Sequence, residues 1–154
     1  MNAERINWWR TSFGEKEIDA IADAIRQESV SQGEIASLFE KEVAAILGVK
    51  HVVATSNGTA ALSMALMAVG VAPGDEVIVP SISWATTYYP LQQYGLKLKF
   101  LDVELDTLNM DVSRLEEALT SKTRMIVAVS VLGNPCALEV IREFCDKHDL
   151  YLLE

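Results

Sequence analysis

Val52-Val53-Ala54-Thr55-Ser56-Asn57-Gly58-Thr59-Ala60-Ala61-Leu62 decides how the chain is read. β-Branched residues stop at small polar ones, and a run of helix formers starts at once. Only Ser56, Asn57, Gly58 and Thr59 separate an extended segment, His51 to Thr55, from a helix, Thr59 to Val69, that stops at Gly70. A strand that turns so tightly into a helix is one unit of a strand–helix repeat.

Outward from this unit the same alternation continues. Pro73-Gly74-Asp75 reads as a turn and Glu76 to Pro80 as a strand. Ala85 to Tyr94 reads as a helix interrupted or bent by Pro90. Lys97 to Val103 is a strand, Asp111 to Leu119 a helix, Arg124 to Ser130 a strand, Leu138 to His148 a helix, and Leu150 to Leu153 a further strand. Upstream, Ile18, Ile21, Ala22 and Ile25 recur at helical spacing within Glu15 to Gln27. Ile35, Leu38, Phe39, Val43 and Ile46 do so within Glu34 to Leu47, with Gly48 as a stop signal. The order predicts an α/β fold with a mostly parallel sheet. Val77 to Val79 and Met125 to Val129 are apolar at every position, which predicts strands covered by helices on both faces. The expected organisation is N-terminal helices over 1–50 and strand–helix units over 51–154. The last strand signal runs to the end of the sequence, so the chain is expected to be part of a longer protein or a truncated copy of one.

Composition narrows the function. The 154 residues carry a net charge of −9, with a pI near 4.7, and half are apolar. That balance argues against nonspecific binding to nucleic acid or to an anionic membrane, while leaving room for a locally positive pocket. Met1 to Arg10 has no apolar core of signal-peptide length, and no apolar run reaches the ~18 residues of a membrane span. A soluble, cytoplasmic protein is expected. Cys136 and Cys145 are the only cysteines, so neither a disulfide framework nor a zinc cage is implied. Cys145 and His148 have the spacing of two metal ligands but lack two more; a core thiol and a surface histidine on one helix is the favoured reading.

Ligands of open α/β sheets bind beyond the carboxyl ends of the strands. The turn at Ser56 to Thr59 would place the first N–H groups of a helix there, where the helix dipole favours an anion such as phosphate. Gly58 permits close approach and Thr59 adds a hydroxyl. The same residues are also ordinary turn and N-cap chemistry. Neither a P-loop nor a Gly-x-Gly-x-x-Gly fingerprint is present. The loop after the next strand, Ser81-Ile82-Ser83-Trp84, brings an aromatic that either stacks on a flat ligand or fills the core. The third loop, Val131-Leu132-Gly133-Asn134-Pro135-Cys136, is a turn in which Asn134 either presents an amide to a ligand or does not. Together the first two loops fit a flat, phosphorylated cofactor.

At Gly48 to Leu62, Pro73 to Ser81, Phe100 to Asn109 and Leu132 to Pro135 the sequence resembles the DegT/StrS family of pyridoxal-phosphate-dependent sugar aminotransferases. These stretches span nearly the whole chain in the family's order. The resemblance implies the N-terminal part of the large domain of fold-type I enzymes of aspartate-aminotransferase architecture. It implies that Gly58 and Thr59 hold the phosphate of pyridoxal 5'-phosphate (or pyridoxamine 5'-phosphate) and that Trp84 stacks on its ring. It further implies a nucleotide-linked keto sugar, an amino donor such as glutamate, and a homodimer. The family's pyridinium-pairing Asp would fall directly after Glu154, and its covalent lysine further on. No catalytic residue is therefore expected within these residues, no metal is called for, and the isolated chain is expected to be inactive. Ser83 to Gly95 and Leu132 to Pro135 also resemble the subgroup of 4-keto-6-deoxy-sugar 3-dehydratases, which carry histidine in place of the lysine. Where aminotransferases of the family commonly have His and Tyr before the third-loop glycine, this chain has Val131 and Leu132. Aminotransfer comes first in this reading; 3-dehydration and a non-catalytic remnant are its alternatives.

Overall fold

The computed structural model describes residues 10–154; the charged N-terminal stretch read above lies mostly outside them. The chain divides into two compact units, the first ending at Ala54 and the second running Thr55–Glu154.

The first unit carries α1, Glu15–Arg26, and α2, Glu34–Leu47. α1 starts where Gly14 N–H donates to Glu17 Oε2 at 2.7 Å, a bond that holds the Glu17 carboxyl below its usual range. α2 ends at Gly48, whose φ of 66° lies in the left-handed region that glycine enters freely. Neither helix has a buried residue, and Ile18, Ile21, Ile25, Leu38 and Phe39 are all exposed. Residues 51–55, expected to form a strand, do not. A strand exists only through a ladder partner, and this segment has none among the described residues. Ala54 N–H instead donates to the Glu40 carboxylate at 2.8 Å.

The second unit holds α3, Gly58–Val69; β1, Glu76–Pro80; α4, Ala85–Gln93; β2, Lys97–Leu101; α5, Leu115–Ala118; β3, Thr123–Val127; α6, Leu138–His148; and β4, Tyr151–Leu153. The strands form one parallel sheet in the order β2-β1-β3-β4. The all-apolar strands are buried from both sides, as their composition predicts. Ile78 and Ile126 pack on one face with Leu115, Ile141 and Cys145. Val77, Val79, Met125 and Val127 pack on the other with Leu66 and Leu91. Each fully buried aliphatic side chain contributes about 1.5–3 kcal/mol. α3 and α4 thus cover one face, and α5 and α6 the other.

Two expectations are corrected in detail. Asp111 to Leu119 is not one helix but a 3₁₀ turn, Val112–Arg114, followed by the single turn of α5. Asp111 accepts from both Ser113 N–H and Ser113 Oγ, local bonds that compete with a regular helical ladder. α4 in contrast continues through Pro90, which is buried within it. Among the described residues no helix is long and apolar enough to cross a membrane.

Candidate functional site

A parallel sheet brings the carboxyl ends of its strands to one edge. Pro80 is level with Leu101, and Val127 is level with Leu153. From β1 the chain returns through α4 to β2 on one side; from β3 it returns through α6 to β4 on the other. The loops after β1 and β3 therefore diverge between neighbouring strands, a topological switch point where open α/β sheets bind ligands.

Two adjoining clefts lie on this edge. The first, of about 700 Å³, is lined by Gly58, Thr59, Leu62, Trp84, Thr86 and Leu153, among others. It brings together the three residues singled out from sequence, which come from two loops 25 residues apart. The second, of about 360 Å³, shares Trp84 and continues to Ser83, Ser130 and Leu132.

At the first cleft the N-terminus of α3 is capped by Asn57, whose Oδ1 accepts from Ala60 N–H at 2.9 Å. Thr55 Oγ1 donates to Asn57 O at 3.1 Å and fixes the turn before it. The N–H groups of Gly58 and Thr59 precede any i−4 carbonyl, so they are free donors at the positive end of the helix dipole. Gly58 needs no left-handed backbone, and a Cβ built on it meets nothing within 4 Å. Among the described residues nothing requires glycine there. The open space, the unpaired donors and the dipole suit a phosphate group.

Trp84 is 77% exposed, so among the described residues it is not part of the core. It precedes α4 in extended conformation (φ −67°, ψ 139°), and its carbonyl accepts from Thr87 N–H at 2.9 Å. The helix behind it is anchored: Tyr88 donates its hydroxyl to Pro80 O at 2.7 Å and packs edge-on against Phe100. Burial pushes the Tyr88 phenol above its ordinary range, with Ser83 opposing. An exposed indole on a fixed support is a ready face for a flat ring.

In the third loop the Asn134 amide has a partner within the fold. Asn134 Nδ2 donates to Thr107 O at 3.2 Å, tying this loop to the hairpin after β2. The residue that sequence reasoning missed is Asn109. It lies in a hairpin after β2, is 4% exposed, and spends its side chain on the third loop. A lone asparagine in a turn-rich segment gives no sign of such a partner more than twenty residues away.

The arrangement has known counterparts. GDP-4-keto-6-deoxy-D-mannose 3-dehydratase of Yersinia pseudotuberculosis is 41% identical over 150 residues, covering 94% of this chain and 38% of that protein. The Escherichia coli GDP-4-keto-6-deoxy-D-mannose-3-dehydratase structure with bound hydrated PLP superimposes with a TM-score of 0.87 at 36% identity, over 93% of this chain and 38% of that one. An aminotransferase structure from Psychrobacter cryohalolentis gives 0.88 at 34% identity, over 92% and 36%. The chain thus spans less than two fifths of the length of these relatives. Its fold is that of the pyridoxal-phosphate-dependent fold-type I enzymes, represented by part of their large domain. With residues 11–154 matched, the chain belongs to the DegT/DnrJ/EryC1/StrS aminotransferase family.

Proposed function

We propose that these residues form the phosphate- and ring-binding part of an enzyme that uses pyridoxal or pyridoxamine phosphate on a nucleotide-linked 4-keto-6-deoxy sugar. The observation that carries the proposal is the single cleft lined by Gly58, Thr59 and Trp84 at the carboxyl edge of the sheet. When bound, the cofactor supplies an electron sink for bonds broken next to its nitrogen. The chain's own residues do the holding. The N–H groups of Gly58 and Thr59, with the Thr59 hydroxyl, bind the phosphate against the dipole of α3. Asn57 fixes the turn that presents them. Trp84 covers one face of the ring and keeps water from it. Proton transfer is assigned to no residue of this chain. A homodimer and an amino donor such as glutamate belong to the same proposal.

Of the two reactions, 3-dehydration is favoured by the 41% identity to a protein of that name and by Val131-Leu132 in the third loop. The family description and the aminotransferase structure at 34% identity favour aminotransfer as the second reading, although sequence reasoning placed it first.

The cofactor site is tested with Gly58→Ala in the complete protein. The added methyl enters space that only a ligand would occupy. Affinity for pyridoxal phosphate is expected to fall about tenfold or more, while the cofactor-free form becomes no less stable, gaining up to ~1 kcal/mol. Equal affinity in variant and wild type sinks the phosphate assignment. Incubation with GDP-4-keto-6-deoxymannose and glutamate then separates the reactions: a 3-deoxy sugar without added nitrogen supports dehydration, and an amino sugar supports transfer.

A further inference from the structure

Leu132 stands in two costly situations at once. Its backbone is in the left-handed region (φ 53°, ψ 25°), and its side chain is 86% exposed. A non-glycine residue there stores roughly 1–2 kcal/mol of strain, and an exposed leucine returns nothing to stability. Glycine or asparagine would satisfy the turn at lower cost.

The conformation persists because the loop is clamped. Asn109 Nδ2 donates to the carbonyls of Asn134 at 3.0 Å and Pro135 at 3.2 Å, and its Oδ1 accepts from Val131 N–H at 3.0 Å. Three bonds from one buried amide thus bracket Leu132 on both sides. Asn134 Nδ2 returns a bond to Thr107 O, and Ser130 Oγ accepts from Cys136 N–H at 3.3 Å. The second cleft, at the switch point between β1 and β3, is lined by Leu132 together with Trp84, Ile82, Ser83 and Thr87. Two exposed large apolar side chains on different loops therefore border one cleft, whose lining also includes the hydroxyl residues Ser83, Thr87 and Ser130.

We propose that Leu132 is a substrate-contacting residue, an apolar wall against the C–H face or the methyl group of the deoxy sugar, and that Asn109 is the positioning residue that holds it in place. The substrate class rests on the function proposed above. The hydroxyls of Ser83 and Thr87 hydrogen-bond each other at 2.8 Å, and their remaining lone pairs supply the polar counterpart that a sugar needs beside such a wall. Removing Leu132 weakens substrate binding without touching the phosphate turn, because Leu132 and Gly58 line different clefts.

The test uses the complete protein loaded with cofactor, and GDP-4-keto-6-deoxymannose as probe. Leu132→Gly keeps the backbone conformation and deletes only the side chain, so it folds at least as well as wild type. Its KM is expected to rise about tenfold, with kcat and pyridoxal phosphate affinity within about twofold of wild type. Asn109→Asp loses both donations to the loop, and its KM is expected to rise by a similar factor. The double variant is expected to be no worse than Leu132→Gly alone, since both act through one side chain. An active wild type whose KM is unmoved by Leu132→Gly overturns this inference and leaves the proposed function standing. A wild type inert with the probe overturns the substrate class, and the sugar contact with it. If Asn109→Asp does not fold, Leu132→Gly alone decides the contact. Additive effects in the double variant overturn the positioning role.

Discussion

Ile21 in α1 and Ile78 in β1 are the same side chain in opposite situations, 61% exposed in one and fully buried in the other. Both stand in segments whose apolar pattern is plain in the sequence. In α1 and α2 the pattern builds two helices with no buried residue. In the sheet it builds two cores, one on each face. Periodicity thus determines that an element exists and which stripe is apolar, while burial depends on what other segments bring. The contrast is measurable. Ile78→Ala is expected to destabilise the chain by about 2–5 kcal/mol, through lost transfer energy and a residual cavity. Ile21→Ala is expected to stay within about 0.5 kcal/mol, as for surface positions generally. Urea unfolding of both variants checks this, and a comparable loss for Ile21→Ala breaks the comparison.

Trp84 and Leu91 repeat that contrast within a few residues of chain. Leu91, inside α4, is 1% exposed and belongs to the core beside Val77 and Val79. Trp84, just before α4, faces the cleft. Trp84→Ala is expected to cost under ~1 kcal/mol in unfolding experiments, far less than the 3–5 kcal/mol of a buried tryptophan. In the complete protein it should lower affinity for pyridoxal phosphate about tenfold, and Trp84→Phe should retain most of it. A core-sized loss of stability with unchanged cofactor affinity would return Trp84 to a packing role.

The sheet was legible because its strands are short, apolar and bounded by turn residues: Glu76 to Pro80 forms as read, and so does the helix Leu138 to His148 behind it. The strand read at 51–55 failed because β-branched residues favour extended backbone but cannot supply a neighbour. The helix read from Asp111 failed because Asp111 and Ser113 bond locally instead. At the cleft, Gly58, Thr59 and Trp84 could be found because strand-to-helix turns and aromatics carry their chemistry in the residue type. Asn109 could not, since its role lies in bonds to carbonyls 25 and 26 residues away. Leu132 departs from the family's His and Tyr already in the sequence, but its exposure and left-handed backbone are properties of the folded loop.

A pH-dependent effect belongs to Cys145, on the buried side of the same comparison. The first unit has no cysteine, whereas Cys145 sits in the core against β4, its thiol 3.9 Å from the Tyr151 carbonyl and donating to it. Burial pushes this thiol up to about 11 from an ordinary 9. An acid whose folded pKa is raised favours folding fully only below its unfolded pKa. Above pH 9 the unfolded chain gains by ionising while the folded chain does not, so stability falls until the thiol ionises in both states near pH 11. At pH 10 the loss attributable to this group is on the order of 1 kcal/mol. Cys145→Ala lowers stability at every pH by leaving a small cavity, but it should remove this part of the alkaline decline. Urea unfolding of wild type and variant at pH 8 and pH 10 isolates the contribution, because every other ionisable group is common to the two proteins. A decline of equal size in the two would show that the thiol is not protected by the core, and that the face of the sheet under α6 opens to water.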